Sequence, residues 1–115
     1  MEKLNKRIAV LTCLEATKVC SGAACFRAFN QRKSAFERYK GEGAELIAFF
    51  HCNGCHCDYA HDSEYLEKIQ YICSCKPDAV HVGKCTQIKG VECKIITQII
   101  KTIEAEGILV IRGTH

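Results

Sequence analysis

At 115 residues, 48% hydrophobic and with a net charge of +3, the chain has the size of one domain and can bury a single core unaided. So mild a positive charge does not call for a nucleic-acid partner, and no stretch approaches the roughly 20 apolar residues that a membrane span needs. Ten cysteines, about 9% of the chain, would mark a disulfide scaffold in a short secreted protein. The opening Met-Glu-Lys-Leu-Asn-Lys-Arg, however, leads into only a handful of apolar residues with no cleavage site, so it does not read as a signal peptide. A cytoplasmic protein with reduced thiols is expected, its clustered cysteines serving as metal ligands or reactive groups.

Residues 7–13 (R-I-A-V-L-T-C) form a short, nearly continuous apolar run, the pattern of a strand buried on both faces. Ser21-Gly22 opens a helix expected to run to about Tyr39. Phe26, Phe29, Phe36 and Tyr39 fall on one stripe of it, Arg27, Arg32, Lys33 and Arg38 on a solvated face, and Gly41 and Gly43 stop it. Residues 44–51 (A-E-L-I-A-F-F-H) give the second strand. Asp62-Ser63 is a cap for a helix running to about Ser74, with Leu66, Ile69 and Cys73 on its buried face and Pro77 beyond its end. Residues 79–83 make a third, shorter strand. A long helix over about 91–105 carries Ile95, Ile96, Ile99, Ile100 and Ile103 on one apolar face. Gly107 terminates it, and residues 108–111 make the fourth strand before Gly113-Thr114-His115.

The order βαβαβαβ calls for an α/β fold: a single three-layer, flavodoxin-like domain over residues 1–115, with a four-stranded parallel sheet and helices on both faces. Right-handed crossovers favour the spatial order 2-1-3-4. No internal repeat, low-complexity tract or linker interrupts it.

Open parallel sheets bind ligands beyond the C-terminal ends of their strands, where chain order reverses. In order 2-1-3-4 that point lies between strands 1 and 3. Cys13 ends the first strand, Cys85 follows the third, Cys52 ends the second and His115 ends the fourth. Neighbouring strand ends stand about 4.8 Å apart, and Zn–S bonds near 2.3 Å place the sulfurs of a tetrahedron about 3.8 Å apart. Four elements thus deliver a ligand to one rim. Cys52-Asn53-Gly54-Cys55 is a C-x-x-C turn, the spacing by which one loop offers two thiolates to one metal, with Gly54 free to take a left-handed backbone. Cys20 and Cys25 lie around the start of the first helix and Cys93 near the start of the third, where the positive end of the helix dipole favours a thiolate. Cys73, on an apolar helical face, reads as a small core residue. His51 and His81, inside strands, read as hydrogen-bonded buried histidines, and His56 and His61 as loop or capping residues.

The pattern R-I-A-V-L-T-C with Cys20-x-Gly22 soon after, C-x-G-C closing the second strand, a cysteine after the third, another before the last helix and a final Gly-Thr-His resembles the CGGC domain over essentially the whole chain. The resemblance implies metal binding, zinc in particular. By motif it carries over to Cys13, Cys20, Cys52, Cys55, Cys85, Cys93 and His115. Two departures stand out: Asn53 where the family usually has glycine, and His56-Cys57-Asp58 where Pro-Gly is usual. The second adds further donors beside the C-x-x-C turn.

From the residues alone, zinc and an iron–sulfur cluster both suit this many thiolates; the resemblance favours zinc. A closed coordination sphere makes a structural or sensory site, an open one lets the metal act on a small molecule. The alternative is a thiol-redox or sulfur-handling enzyme using Cys52 and Cys55 as nucleophile and resolving thiol. Against it, His56-Cys57-Asp58-Tyr59 separates the pair from any helical periodicity. A phosphatase or arsenate reductase of the C-x5-R kind is ruled out, because Val19 stands six residues beyond Cys13 and Glu15 would repel an anion. No G-x-G-x-x-G or G-K-[ST] motif supports flavin or nucleotide binding. The expected partner is a metal ion, with neither nucleic acid nor membrane.

Overall fold

Strand β1, Lys6–Thr12, is exposed at its first two residues and buried along the rest, as an apolar run flanked by neighbours on both sides must be. It lies second in a four-stranded, all-parallel sheet of order β2 (Ala44–His51), β1, β3 (Ala79–Val82), β6 (Leu109–Ile111). The computed structural model describes residues 6–14, 21–52, 61–83, 86–88 and 91–112. A short antiparallel hairpin, β4 (Gln87–Ile88) with β5 (Val91–Glu92), stands between β3 and β6. The order therefore differs from the expected 2-1-3-4 in the number its last strand carries.

The sheet is covered on both faces. Ala9, Leu11, Val80 and Val82 meet Tyr65, Ile69 and Ile72 of α2 (Ser63–Ser74) and the isoleucines of α3 (Lys94–Ala105). Ile8, Val10 and Ala79 meet Ala28 and Phe29 of α1 (Ala23–Asn30) and Phe36 and Tyr39 of a 3-10 helix, Ser34–Tyr39. Each fully buried Ile or Phe contributes about 1.5–3 kcal/mol relative to exposure, so the five buried isoleucines of α3 dominate its attachment. Among the described residues, no helix is long and apolar enough to cross a membrane.

Two helices differ from their expected extents. The expected helix over 21–39 is split in two. Arg32 takes a left-handed backbone (φ 55°), Lys33 N–H reaches back to Ala28 O and Arg32 N–H to Phe29 O. That is the bonding of a left-handed helix cap, with arginine where glycine is usual. Its guanidinium supports the geometry, donating to Phe29 O (2.7 Å) and Tyr39 O (3.3 Å) and lying over the Phe29 ring. Arg32 is thus a capping residue rather than part of a solvated face. The last helix starts at Lys94 rather than 91, because Val91 and Glu92 are used by the hairpin. Asp62 caps α2 as expected, its Oδ1 accepting from Tyr65 N–H at 3.1 Å.

His81 sits in β3 with none of its surface exposed, against the Phe36 ring and hydrogen-bonded to the Tyr39 hydroxyl at 2.8 Å. Burial, aided by the Arg38 charge, pushes its pKa down to about 4, and burial raises that of Tyr39. Unfolded, the imidazole titrates near 6.5. Between the two values the unfolded chain binds more protons, so the His81 contribution is complete above pH 6.5 and is lost as pH falls toward 4. We expect the His81 ring resonances to titrate near pH 4 by NMR and the urea midpoint to decline over that window; a ring titrating near 6.5 would show that it is not held neutral in the core.

Candidate functional site

The decisive local feature of the C-terminal rim lies well below it, in β2. Ile8 pairs with Leu46, but Ala9 pairs with Ala48, leaving Ile47 as one extra residue on the edge strand. Side chains on a strand alternate with period two, so looping out one residue exchanges which of the even- and odd-numbered positions face each side beyond it. Ala44 and Leu46 accordingly pack on the α1 side, whereas Ala48, Phe50 and Cys52 pack on the α2–α3 side. Cys13 packs there too. Were Ile47 kept in a regular ladder instead of being looped out, the side chain of Cys52 would face away from that of Cys13.

The strand ends hold the pair. Cys52 N–H donates to Thr12 O at 3.2 Å, carrying the parallel ladder one residue past β2. Leu14 N–H in turn points at Cys52 Sγ, 3.4 Å away. Cys13 and Cys52 are 7% and 1% exposed. On the opposite face of the same two strands, His51 Nδ1 lies 2.6 Å from Thr12 Oγ1. Burial and the nearby Lys68 charge lower the His51 pKa, while Lys68 Nζ donates to His51 O at 2.7 Å and so covers an outward carbonyl of the edge strand.

Cys93 occupies the N-cap of α3 and packs, partly buried, against the core cluster that contains Cys13 and Cys52. Its backbone is tied to the same rim. Cys93 N–H donates to Thr86 O (3.0 Å), Thr86 N–H to Gly83 O (3.2 Å), and Gly83 N–H to Leu11 O (3.0 Å). Beside it, Glu92 takes hydrogen bonds from Thr97 and Arg112. Burial alone would raise its pKa, but these bonds and the Arg112 charge outweigh that and hold it below the usual carboxylate value.

The remaining expected ligands, Cys20, Cys55, Cys85 and His115, lie outside the described residues. Among the described residues, no group of three Cys, His, Asp or Glu side chains converges on one metal-sized point. Cys13 and Cys52 are brought side by side, and Cys93 joins the same rim. Cys25 is buried in the first turn of α1. Cys73 packs against the core from α2, and burial raises its thiol pKa, with Glu106 adding to the effect. It and Cys75 lie at the C-terminal end of α2, which leads into the start of β3, at the far end of the sheet from the rim.

The match to a family model now decides the affiliation: residues 7–115 fit the CGGC domain. The chain belongs to the CGGC domain family. It is 30% identical, over 118 residues, to an uncharacterized protein of Methanocaldococcus jannaschii, an alignment spanning 95% of this chain and 86% of that protein. No solved structure matches the chain significantly. The CGGC family is cysteine-rich, as is this member with its ten cysteines.

Three rim residues, Glu92, Thr97 and Arg112, escaped the sequence reading. The Lys89-Gly90 dipeptide between Gln87-Ile88 and Val91-Glu92 was a usable hairpin signal, and it would have placed Glu92 beside the start of α3. The register itself makes a prediction. Parallel neighbours about 4.8 Å apart fall within the roughly 4.4–6.8 Å Cα range of a disulfide. Metal-free protein treated with a mild thiol oxidant is expected to yield a Cys13–Cys52 cross-link, identified by mass spectrometry after digestion. Deleting Ile47 removes the bulge but keeps the pairing beyond it, so the product should persist in that variant, and its loss would contradict the register.

Proposed function

We propose that this CGGC domain binds zinc at the C-terminal rim of its sheet, with ligands drawn from Cys13, Cys20, Cys52, Cys55, Cys85, Cys93 and His115. The observation that carries the reading is the Cys13–Cys52 pair: two buried sulfurs on adjacent strand ends, on one face, with Leu14 N–H directed at one of them. Hydrogen bonds of that kind orient ligand sulfurs and steady their charge. Cys93 adds a third sulfur at the positive end of α3. Soft sulfur donors with at most one imidazole suit zinc, which takes four such ligands in a tetrahedron. Cys55 follows Cys52 at the C-x-x-C spacing that lets one turn supply two of the four.

Bound there, zinc would supply a cross-link between segments distant in the chain, and its binding energy would add to folding stability. Membership of a cysteine-rich family agrees with this reading. The thiol-redox alternative fares less well. A thiol that attacks a substrate's disulfide must be accessible to a molecule of that size, and Cys52 is 1% exposed with its sulfur already accepting a hydrogen bond.

The test is metal analysis of protein purified without air. The wild-type chain is expected to carry about one zinc, held by four ligands. Cys13→Ser and Cys52→Ser should each weaken zinc binding about tenfold or more. Cys73→Ser should keep the metal and lose only packing stability. Equal metal retention in all three variants would sink the ligand assignment, and brown protein with iron and acid-labile sulfide would replace zinc by an iron–sulfur cluster at the same rim.

A further inference from the structure

Glu92 stands next to Cys93, and both of its carboxylate oxygens are engaged. Thr97 Oγ1 donates to Oε1 at 2.6 Å and Arg112 Nε to Oε2 at 2.8 Å. Thr97 also turns back on the cysteine: its N–H and its hydroxyl both approach Cys93 O, at 3.0 and 3.2 Å. The other side of Cys93 is fixed by its N–H on Thr86 O, within the chain of bonds that runs through Gly83 to Leu11. The backbone of Cys93 is therefore gripped from two directions. One grip leads to β3 and β1, and through β1 to Cys13. The other joins β5, the first turn of α3 and the residue that follows β6.

We infer that Glu92, Thr97 and Arg112 form a positioning clamp for the rim site, setting where the Cys93 sulfur stands relative to Cys13 and Cys52. This rests on the metal-binding reading above. The carboxylate is the hub: it receives one bond per oxygen from two elements, which fixes its own orientation. Arg112 also lies three residues before His115 in the chain, so the clamp ties together the segments that carry two candidate ligands. A half-exposed ion pair adds little to stability by itself. Its effect should therefore appear in metal affinity rather than in folding, since partners that orient a ligand without touching the metal commonly change affinity about 10–100-fold.

Zinc affinity is measured by competition with a chromophoric chelator, and the stability of each metal-free protein by urea. Arg112→Gln is expected to weaken zinc binding about tenfold with little change in the urea midpoint. Arg112→Lys should restore part of the loss, a rescue that a general loss of structure would not show. Thr97→Val, which keeps shape and removes the hydroxyl, should weaken binding in the same direction and serves if Arg112→Gln folds poorly. Lys101→Gln, an equal loss of charge on the exposed face of α3, should bind as wild type. Wild-type affinity in both Arg112→Gln and Thr97→Val overturns the clamp and leaves the metal-binding reading standing, as does an equal loss in Lys101→Gln. A wild-type protein that takes up no zinc overturns the metal-binding reading, and the clamp with it.

Discussion

One inserted residue in an edge strand governs what the rim can do. β2 climbs beside β1 with Ile8 opposite Leu46, and the extra Ile47 then returns it to register one residue out of phase. Because strand side chains alternate, a phase change of one is a change of face. Phe50 and Cys52 are thereby delivered to the layer filled by α2 and α3. On that face Phe50 is buried, while Phe49 packs on the other. Cys52 follows, and lands beside Cys13. The local ladder loses a pair at the bulge.

The fold also separates chemistry from stability along the strand direction. All three α-helices run back from the C-terminal rim, so their N-termini, at Gly22, Asp62 and Cys93, share it. Each brings a partial positive charge to the side where Cys13, Cys52 and Cys93 stand. At Gly22 the requirement is steric as well: its φ is +83°, and a Cβ there would sit 3.1 Å from the Phe49 ring. Toward the opposite end, polar groups serve the core. Arg7 N–H donates to Asp78 Oδ2 and Asp78 N–H to Arg7 O, each at 2.7 Å, pinning the start of β3 to β1. His81 and Tyr39 satisfy each other in the middle of the α1 side.

What the chain reveals before folding follows from how periodic each segment is. The isoleucines of α3 repeat at helical spacing, so the helix and its buried face could be read directly. Asp62 before an apolar-periodic run announced α2. The apolar runs of β1, β2, β3 and β6 marked the strands, with Cys13 at the end of β1 and Cys52 at the end of β2. The end of α1 could not be read, because Arg32 adopts a conformation normally taken by glycine and nothing in Gln31-Arg32-Lys33 signals it. Nor could the bulge: A-E-L-I-A-F-F-H is apolar nearly throughout, and a run without alternation carries no record of phase. Cys52 stands on the face of Cys13 only because the bulge, which the sequence does not announce, sets that face.

That face has an electrostatic consequence. Two thiolates at neighbouring strand ends, nearly sealed from water, would repel each other strongly in a medium of low dielectric. Leu14 N–H offers one partial positive charge to the pair, and the start of α3 another. Neither equals a full charge. On the proposed reading a divalent cation between two thiolates would bring the local charge to zero. A third thiolate, from Cys93, would tip the sum to minus one, which is where a helix N-terminus is most useful. The same reasoning favours a neutral imidazole over another thiolate as one of four ligands, because each added thiolate must find its own compensation in a part of the protein that holds little water.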